Sequence, residues 1–351
     1  MLLSNVILPE AFSADNFSDP VYHLNTEIFL LGVHSNGILL FDAENRLRNE
    51  LIEQVDKLAG IPKGIKSHAL FTDLLQPGKK NAGGLMRTTC SFNAARHVDD
   101  VAVNTAIKCK ADVLLVDPAS HSRLAASDLG NTQLISVPDY IESSSEIRRR
   151  RYSESLPTTD KMSPLEFDRL VVGATRFSRW LRFYDKQIGH GRSLSRFERG
   201  MERILRVWID NAFFDKAELS AELYTVVHES ILGENLSDQS AAYNRVKCDL
   251  VERLHDKLGI PIKMHFKREP ENKEESICHA RYLETQSIAI HFEKGFDFIK
   301  IDKSCSRTTI RPERISVTHL NEYRKLPEYV PEIIELTPLE SDSGRKKGRL
   351  R

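Results

Sequence analysis

Four aspartates carry the most explicit chemistry in the chain. Asp42 and Asp117 each close an apolar run, Gly37-Ile-Leu-Leu-Phe41 and Val113-Leu-Leu-Val116, and Asp99-Asp100 stands where a helical pattern begins. Carboxylates brought together repel one another unless a hard divalent cation neutralises them, and Mg²⁺ or Mn²⁺ prefers oxygen ligands of this kind. A metal so held lowers the pKa of bound water and stabilises the charge on a phosphodiester in flight. Asp42, Asp99 or Asp100, and Asp117 are therefore candidate metal ligands and catalytic residues. The competing reading is that strand-end aspartates form turns and cap helices.

A polyanion partner is suggested by charge segregation alone. Fifty Lys+Arg against fifty Asp+Glu leave a formal charge of zero, so no whole-molecule field attracts nucleic acid. Between Gly173 and Val207, however, Arg176, Arg179, Arg182, Lys186, Arg192, Arg196, Arg199, Arg203 and Arg206 face only Asp185, Glu198 and Glu202. Arg196, Arg199, Arg203 and Arg206 fall on one helical face, a stripe that can track a phosphate backbone. The plainer alternative is a solvated face with Glu198 and Glu202 as local partners. Ile147 to Arg151 adds a second basic cluster.

The elements that must position these groups follow from periodicity. The 351 residues suit two domains of ordinary size, and 40% apolar with 28% charged residues is a globular composition. The runs Ile28 to Val33 and Val113 to Val116 are far shorter than the ~20 apolar residues a membrane span needs. No signal peptide is expected, and a cytoplasmic location is. The five cysteines form no C-x-x-C pair, which argues against a disulfide framework or a zinc site; Cys109 and Cys248 read as small apolar residues of helices. Ser143-Ser-Ser145, Arg148 to Arg151, Pro157 and Ser163-Pro164 read as an exposed connector. The expected division is a domain at 1–145, a basic linker at 146–163, a second domain at 164–335 and a basic tail at 336–351.

In the first block, a strand at Gly37–Phe41 precedes a helix at Ala43–Leu58 whose Leu47, Leu51, Val55 and Leu58 share a face. A helix over Asn93–Lys110 leads into the strand ending at Asp117, followed by a short helix and a strand at Gln133–Val137. Apolar strands alternating with amphipathic helices make a parallel sheet, and ligands gather beyond the carboxyl ends of its strands. If the strands ending at Asp42 and Asp117 are neighbours, their acids converge.

These landmarks, Ile38-Leu-Leu-Phe-Asp42, Asp99-Asp100-Val101, Ala111-Asp-Val-Leu-Leu-Val-Asp117 and Leu134-Ile-Ser-Val-Pro138-Asp-Tyr140-Ile141, resemble those of a PIN-domain nuclease over about residues 34 to 145. The resemblance implies metal-dependent cleavage of RNA, or of DNA flaps, with Asp42, Asp99 or Asp100, and Asp117 at the motif positions. Leu115 stands where that family has a polar residue, and the mid-helix second acid has only Glu50, Glu53 and Asp73 as candidates.

The second block is again α/β. Strands are expected at Trp180–Tyr184, Leu223–Val227, Pro261–Phe266, Cys278–Gln286 and Ile288–Phe292, the last two antiparallel. Helices are expected at Leu194–Ala212 and Gln239–Leu258, the latter closed by Gly259. His279-Ala-Arg281, Ile288-Ala-Ile-His-Phe and Lys294-Gly-Phe-Asp-Phe298, with Phe183-Tyr-Asp-Lys-Gln-Ile188, resemble the phospholipase D-like domain of MIT-domain proteins. The resemblance implies a His nucleophile at His279, and Lys294 and Arg281 as phosphate-holding groups, Arg281 bidentately. Gln286 falls where the downstream Asp of active relatives belongs, and a single such motif would need a homodimer to supply a second His.

The expected function is a metal-dependent nuclease of RNA or DNA with a C-terminal phosphate-binding domain, in keeping by analogy with prokaryotic antiviral defence or toxin-like systems. The alternatives are metal-independent phosphodiester chemistry by His279 in a dimer, and a non-enzymatic adaptor for anionic lipid or a partner protein.

Overall fold

The computed structural model describes residues 3–75, 84–87, 97–154, 158–185, 188, 194–227, 244, 246–268, 281–286, 288–293, 295–296, 310–313, 320 and 324–325. Five strands, β1 (Leu3–Ile7), β2 (Gly37–Phe41), β3 (Gly84–Arg87), β4 (Val113–Val116) and β5 (Gln133–Ser136), form a wholly parallel sheet in the order β3-β2-β1-β4-β5. Every residue of β1, β2 and β4 is buried, as strands covered on both faces must be. The helices are α1 (Pro20–Asn36), α2 (Arg46–Leu58), α3 (Ile65–Leu75), α4 (Val98–Lys108) and α5 (Pro118–Leu124). Leu47, Leu51, Val55 and Leu58 form the buried face of α2, as their spacing requires.

One element alters the geometry expected from sequence. The first strand is β1, whose Leu-Ser-Asn-Val-Ile run hides its character behind two polar residues. Both are buried and bonded: the Ser4 hydroxyl donates to Asp112 at 2.8 Å, and Asn5 Nδ2 donates to the Leu3 and Ile38 carbonyls at 3.0 and 3.3 Å. Because β1 lies between β2 and β4, the strands ending at Asp42 and Asp117 are not neighbours. Two strand spacings, about 10 Å, separate them.

The expected linker at 146–163 begins inside the folded body. Helix α6 (Ser144–Glu154) buries Glu146 completely, where its carboxylate accepts from Arg149 Nε and Nη2 at 2.7 Å, Arg150 Nε at 2.8 Å and the Tyr140 hydroxyl at 3.0 Å. Arginines that read as a solvated charge run are thus partly a counter-charge for one buried acid. The Ser163-Pro164 pair opens α7 (Pro164–Thr175) through a capping box with Glu166.

A second, mixed sheet has the order β11-β10-β9-β6-β7-β8, built from β6 (Trp180–Asp185), β7 (Ser220–Val227), β8 (Ile262–Arg268), β9 (Arg281–Glu284), β10 (Ala289–Phe292) and β11 (Ile310–Glu313). Strands β6, β7 and β8 run parallel, and β9, β10 and β11 are added antiparallel, with β9 and β10 adjacent as expected. Helix α8 (Leu194–Asn211) buries Phe197, Met201, Ile204, Leu205 and Trp208. A π-helical turn (Lys247–Glu252) runs into α9 (Arg253–Leu258), which ends on Gly259 at φ 63°. Cys109 is buried as expected, whereas Cys248 on the π turn is exposed.

The chain is therefore α/β, with two sheets. One apolar cluster runs through the elements of both, and Arg176, at the end of α7, reaches across to donate to Ser4 Oγ at 2.7 Å. Among the described residues no helix is long and apolar enough to cross a membrane.

Candidate active site

The order of the first sheet reverses direction between β1 and β4, which is where an open parallel sheet leaves a crevice beyond its carboxyl ends. Both strands deliver an acid there. After β1 the chain makes a single 3₁₀ turn (Pro9–Phe12) carrying Glu10, locked to β4 by the Leu8 N–H donating to the Leu115 carbonyl at 2.9 Å. After β4 comes Asp117. Helix α4 packs antiparallel to the strands it connects, so its first turn, with Asp99, starts at the same edge. The Glu10 turn also packs on α2, which carries Glu50 one turn from its start.

The electrostatics tie these four groups together. Burial pushes the Glu10 carboxyl above the usual carboxylate range, and the negative charges of Asp99, Asp117 and Glu50 push it further. Two buried carboxylate oxygens, Glu10 Oε2 and Asp99 Oδ1, have no hydrogen-bond donor. Asp99 is 8% exposed, and its other oxygen accepts from Arg123 Nε at 2.8 Å. His97, the residue capping α4, stands against this oxygen: its Nδ1 accepts the Asp99 N–H at 3.3 Å and is itself 3.3 Å from Oδ1. Buried acceptors left without donors are costly, and Glu10 Oε2 lies in the negative field of its neighbours without even the imidazole that stands by Asp99 Oδ1. Burial likewise pushes up the Tyr22 phenol, within the field of Asp117.

The sequence-derived acids divide accordingly. Asp99 and Asp117 belong to the cluster. Asp117 is also the N-cap of α5, accepting from Ala119 N–H at 3.0 Å and Ser120 N–H at 3.3 Å. Asp100 is exposed, one position round the helix from Asp99. Asp42 is almost fully buried, but its two oxygens take the Arg46 and Leu47 N–H groups, each at 2.9 Å. It satisfies the free donors of the α2 N-terminus, which is the capping role, rather than meeting Asp117. Of the second-acid candidates, Glu50 reaches the cluster while paired to Arg46 at 2.8 Å, Glu53 is exposed, and Asp73 lies on α3. Glu10 was missed because nothing marked Leu3–Ile7 as a strand; a Pro-Glu pair directly after Val-Ile-Leu was the available signal.

Carboxylate oxygens of this kind suit Mg²⁺ or Mn²⁺ in donor chemistry, and the orphaned oxygens of Glu10 and Asp99 fit a hard cation. The cage is not closed as it stands: among the described residues no three His, Cys, Asp or Glu side chains are grouped to hold a metal. Asp99 is flanked instead by Arg123 on Oδ2 at 2.8 Å and by the His97 ring 3.3 Å from Oδ1.

On the second sheet Arg281, one of the expected phosphate groups, is otherwise engaged. His279 and Lys294 lie outside the described residues. Arg281 opens β9 with its guanidinium 3.6 Å from the buried Asp185 and its Nη1 donating to the Glu293 carbonyl at 2.7 Å. It ties the turn after β10 to β6, and a bidentate grip on phosphate would have to break that tie. The arginine stripe is partly neutralised as well. Arg203 donates twice to Asp168 at 3.0 and 3.1 Å, and Arg206 pairs with Glu202 at 2.9 Å. Arg196 is exposed and Arg199 half-buried.

Comparisons with protein-family models, curated proteins and solved structures returned no match to this chain.

Proposed function

We propose that the chain is a divalent-metal-dependent nuclease of the PIN-like kind, acting through Glu10, Asp99 and Asp117 at the crevice between β1 and β4, with Glu50 adding negative charge. One observation carries the reading: a buried, donorless carboxylate oxygen, Glu10 Oε2, in the negative field of Asp99, Asp117 and Glu50 at the switch point of a parallel sheet. Such oxygens are destabilising unless a cation visits them. A parallel sheet with its acids at the carboxyl edge also agrees with the resemblance drawn from the landmarks around Asp99 and Asp117.

Glu10 and Asp99 would hold Mg²⁺ or Mn²⁺, and Asp117 would complete the set from the α5 cap. When bound, the ion supplies a water of lowered pKa and neutralises charge on the phosphodiester. The chain supplies rigidity: Asp117 is fixed by two backbone N–H groups, and Glu10 sits on a turn hydrogen-bonded into the sheet. Asp42 holds α2, and thereby Glu50, in place without touching substrate.

The test is cleavage of single-stranded RNA and DNA by the purified chain with Mg²⁺, with Mn²⁺ and with EDTA. Cleavage that requires the ion and falls at least about 100-fold in both Asp99→Asn and Glu10→Gln supports the reading, a loss of the size seen when one group stabilising transition-state charge is removed. Ion-independent cleavage, or none on any nucleic acid, overturns it.

A further inference from the structure

Helix α1 is apolar on two opposite faces. Tyr22, Phe29, Leu30 and Val33 are buried in the core. On the other face Val21, Leu24 and Leu31 are 54%, 50% and 44% exposed, with the half-buried Ile28 between them. Steps of three, four and three residues set these four side chains in one ridge along about 15 Å of helix. A helix that is apolar all round belongs in an interior, yet this one lies at the surface. Helix α3 lies beside it, tied by Lys66 Nζ donating to Glu27 at 2.6 Å and His34 Nε2 donating to the Leu70 carbonyl at 2.8 Å, and exposes Ile65. Elsewhere among the described residues the large exposed apolar side chains, Ile107, Ile147 and Leu165, occur one to a helix, as scattered surface residues commonly do.

We propose that this ridge is a self-association surface, on which α1 packs antiparallel against α1 of a second copy of the chain about a twofold axis near residue 26. Three observations favour a second copy as the occupant. The spacing reads the same in both directions, so Val21 meets the partner's Leu31 and Leu24 meets the partner's Ile28, as an isologous interface demands. A three-four alternation is also the seam along which paired helices interlock. The ridge positions 21, 24, 28 and 31 carry no charge, and the acid beside them, Glu27, is already neutralised by Lys66 of the same copy. Two identical ridges therefore meet without like-charge repulsion, whereas a charged partner finds nothing to pair with. The size also fits. A helix of 17 residues is about 26 Å long, and with α3 about 10 Å away the face covers about 500 Å² per copy, which reaches the total of about 1,000 Å² of a specific interface. The proposal stands apart from the chemistry of the acidic crevice and holds whether or not that site cuts nucleic acid.

The experiment is light scattering and sedimentation of the full chain over a range of concentrations, alone and with three variants, Val21→Glu, Leu31→Lys and the two combined. Circular dichroism of each confirms that it folds, as expected for changes at exposed positions. The full chain should be a dimer. Each single variant sets a charge against an apolar side chain of the partner and is expected to weaken dimerisation at least about tenfold. The combined variant sets opposite charges face to face across the axis and should recover most of that loss. Recovery is the decisive result, because general damage to the helix would add rather than cancel. A full chain still monomeric at about 100 µM overturns the proposal and leaves the ridge to a different protein. A dimer indifferent to the single variants, or a combined variant no better than the worse of the two, overturns it as well.

Discussion

The crevice of the first sheet and the open face of the second treat buried carboxylates in opposite ways. In the crevice, Arg123 bonds Asp99 alone among Glu10, Asp99 and Asp117, and Glu10 Oε2 has no donor. On the second sheet, Glu284 accepts from the Tyr184 hydroxyl at 2.6 Å and from Arg324 Nη1 at 3.0 Å on each oxygen. Glu222 beside it accepts from Arg182 Nε at 3.0 Å and the Tyr224 hydroxyl at 2.5 Å. Tyr184, Tyr224 and His265 stack across three neighbouring strands with ring centroids 4.8 and 4.4 Å apart. A satisfied network of this sort specifies a structure, whereas an unsatisfied one stores a demand for a ligand. Burial alone does not separate the two cases; the supply of donors does.

The comparison is open to attack at four points. The largest expected effect is Glu284→Ala, which strands Arg324 and a buried phenol; removing one partner of a buried pair costs about 3–5 kcal/mol, readable as a shift in the urea midpoint. A loss under about 1 kcal/mol would mean the second-sheet network is ornamental. Next is the acid limb of the stability curve. Burial works to raise the Glu222 carboxyl, but the Tyr224 hydroxyl and the Arg182 guanidinium overcome it and hold the group below its ordinary value of 4.5. A depressed folded-state value stabilises the fold above the unfolded pKa, and that stability disappears as pH falls through the folded value. Glu222→Gln should therefore flatten stability against pH below about pH 4.5, and a parallel curve would contradict this.

Smaller is Asp42→Ala, expected to cost about 1 kcal/mol of unfolding free energy as a lost helix cap. Its nucleic-acid cleavage should persist; loss of cleavage at unchanged stability would restore Asp42 to the metal site. Smallest, and opposite in sign, is Glu10→Gln. Neutralising one member of a repelling group should raise the melting temperature slightly, by less than about 1 kcal/mol in free energy, as is common where stability was given up for function. A clear destabilisation would show that Glu10 is held by contacts rather than strained by its neighbours.

How much of this could be read in the chain depended on whether a signal was local. The face of α2, the strands at β2 and β4, the stop at Gly259 and the antiparallel pair β9–β10 all follow from periodicity and turn chemistry within about a dozen residues. That Asp99 and Asp117 lie at one edge was legible because helix starts and strand ends in a parallel sheet converge there. β1 was not legible, since Ser4 and Asn5 become acceptable in a buried strand only through partners as distant as Asp112 and Ile38. With β1 went Glu10, and with Glu10 the reason that Asp42 stands one strand too far away. The arginines of α6 misled for a related cause: a run of like charges looks solvated until the buried acid it serves, Glu146, is placed beside it.

The central place of β1 has a temporal side. The ribosome delivers this strand before any of its partners, β2 follows soon after, but the edge facing β4 bonds to residues 108 positions further on. Until then an apolar strand waits with one side uncapped, and closing so long a loop slows folding. The two carboxylates flanking that seam meet only at its closure, so the acidic crevice cannot exist in a half-made chain.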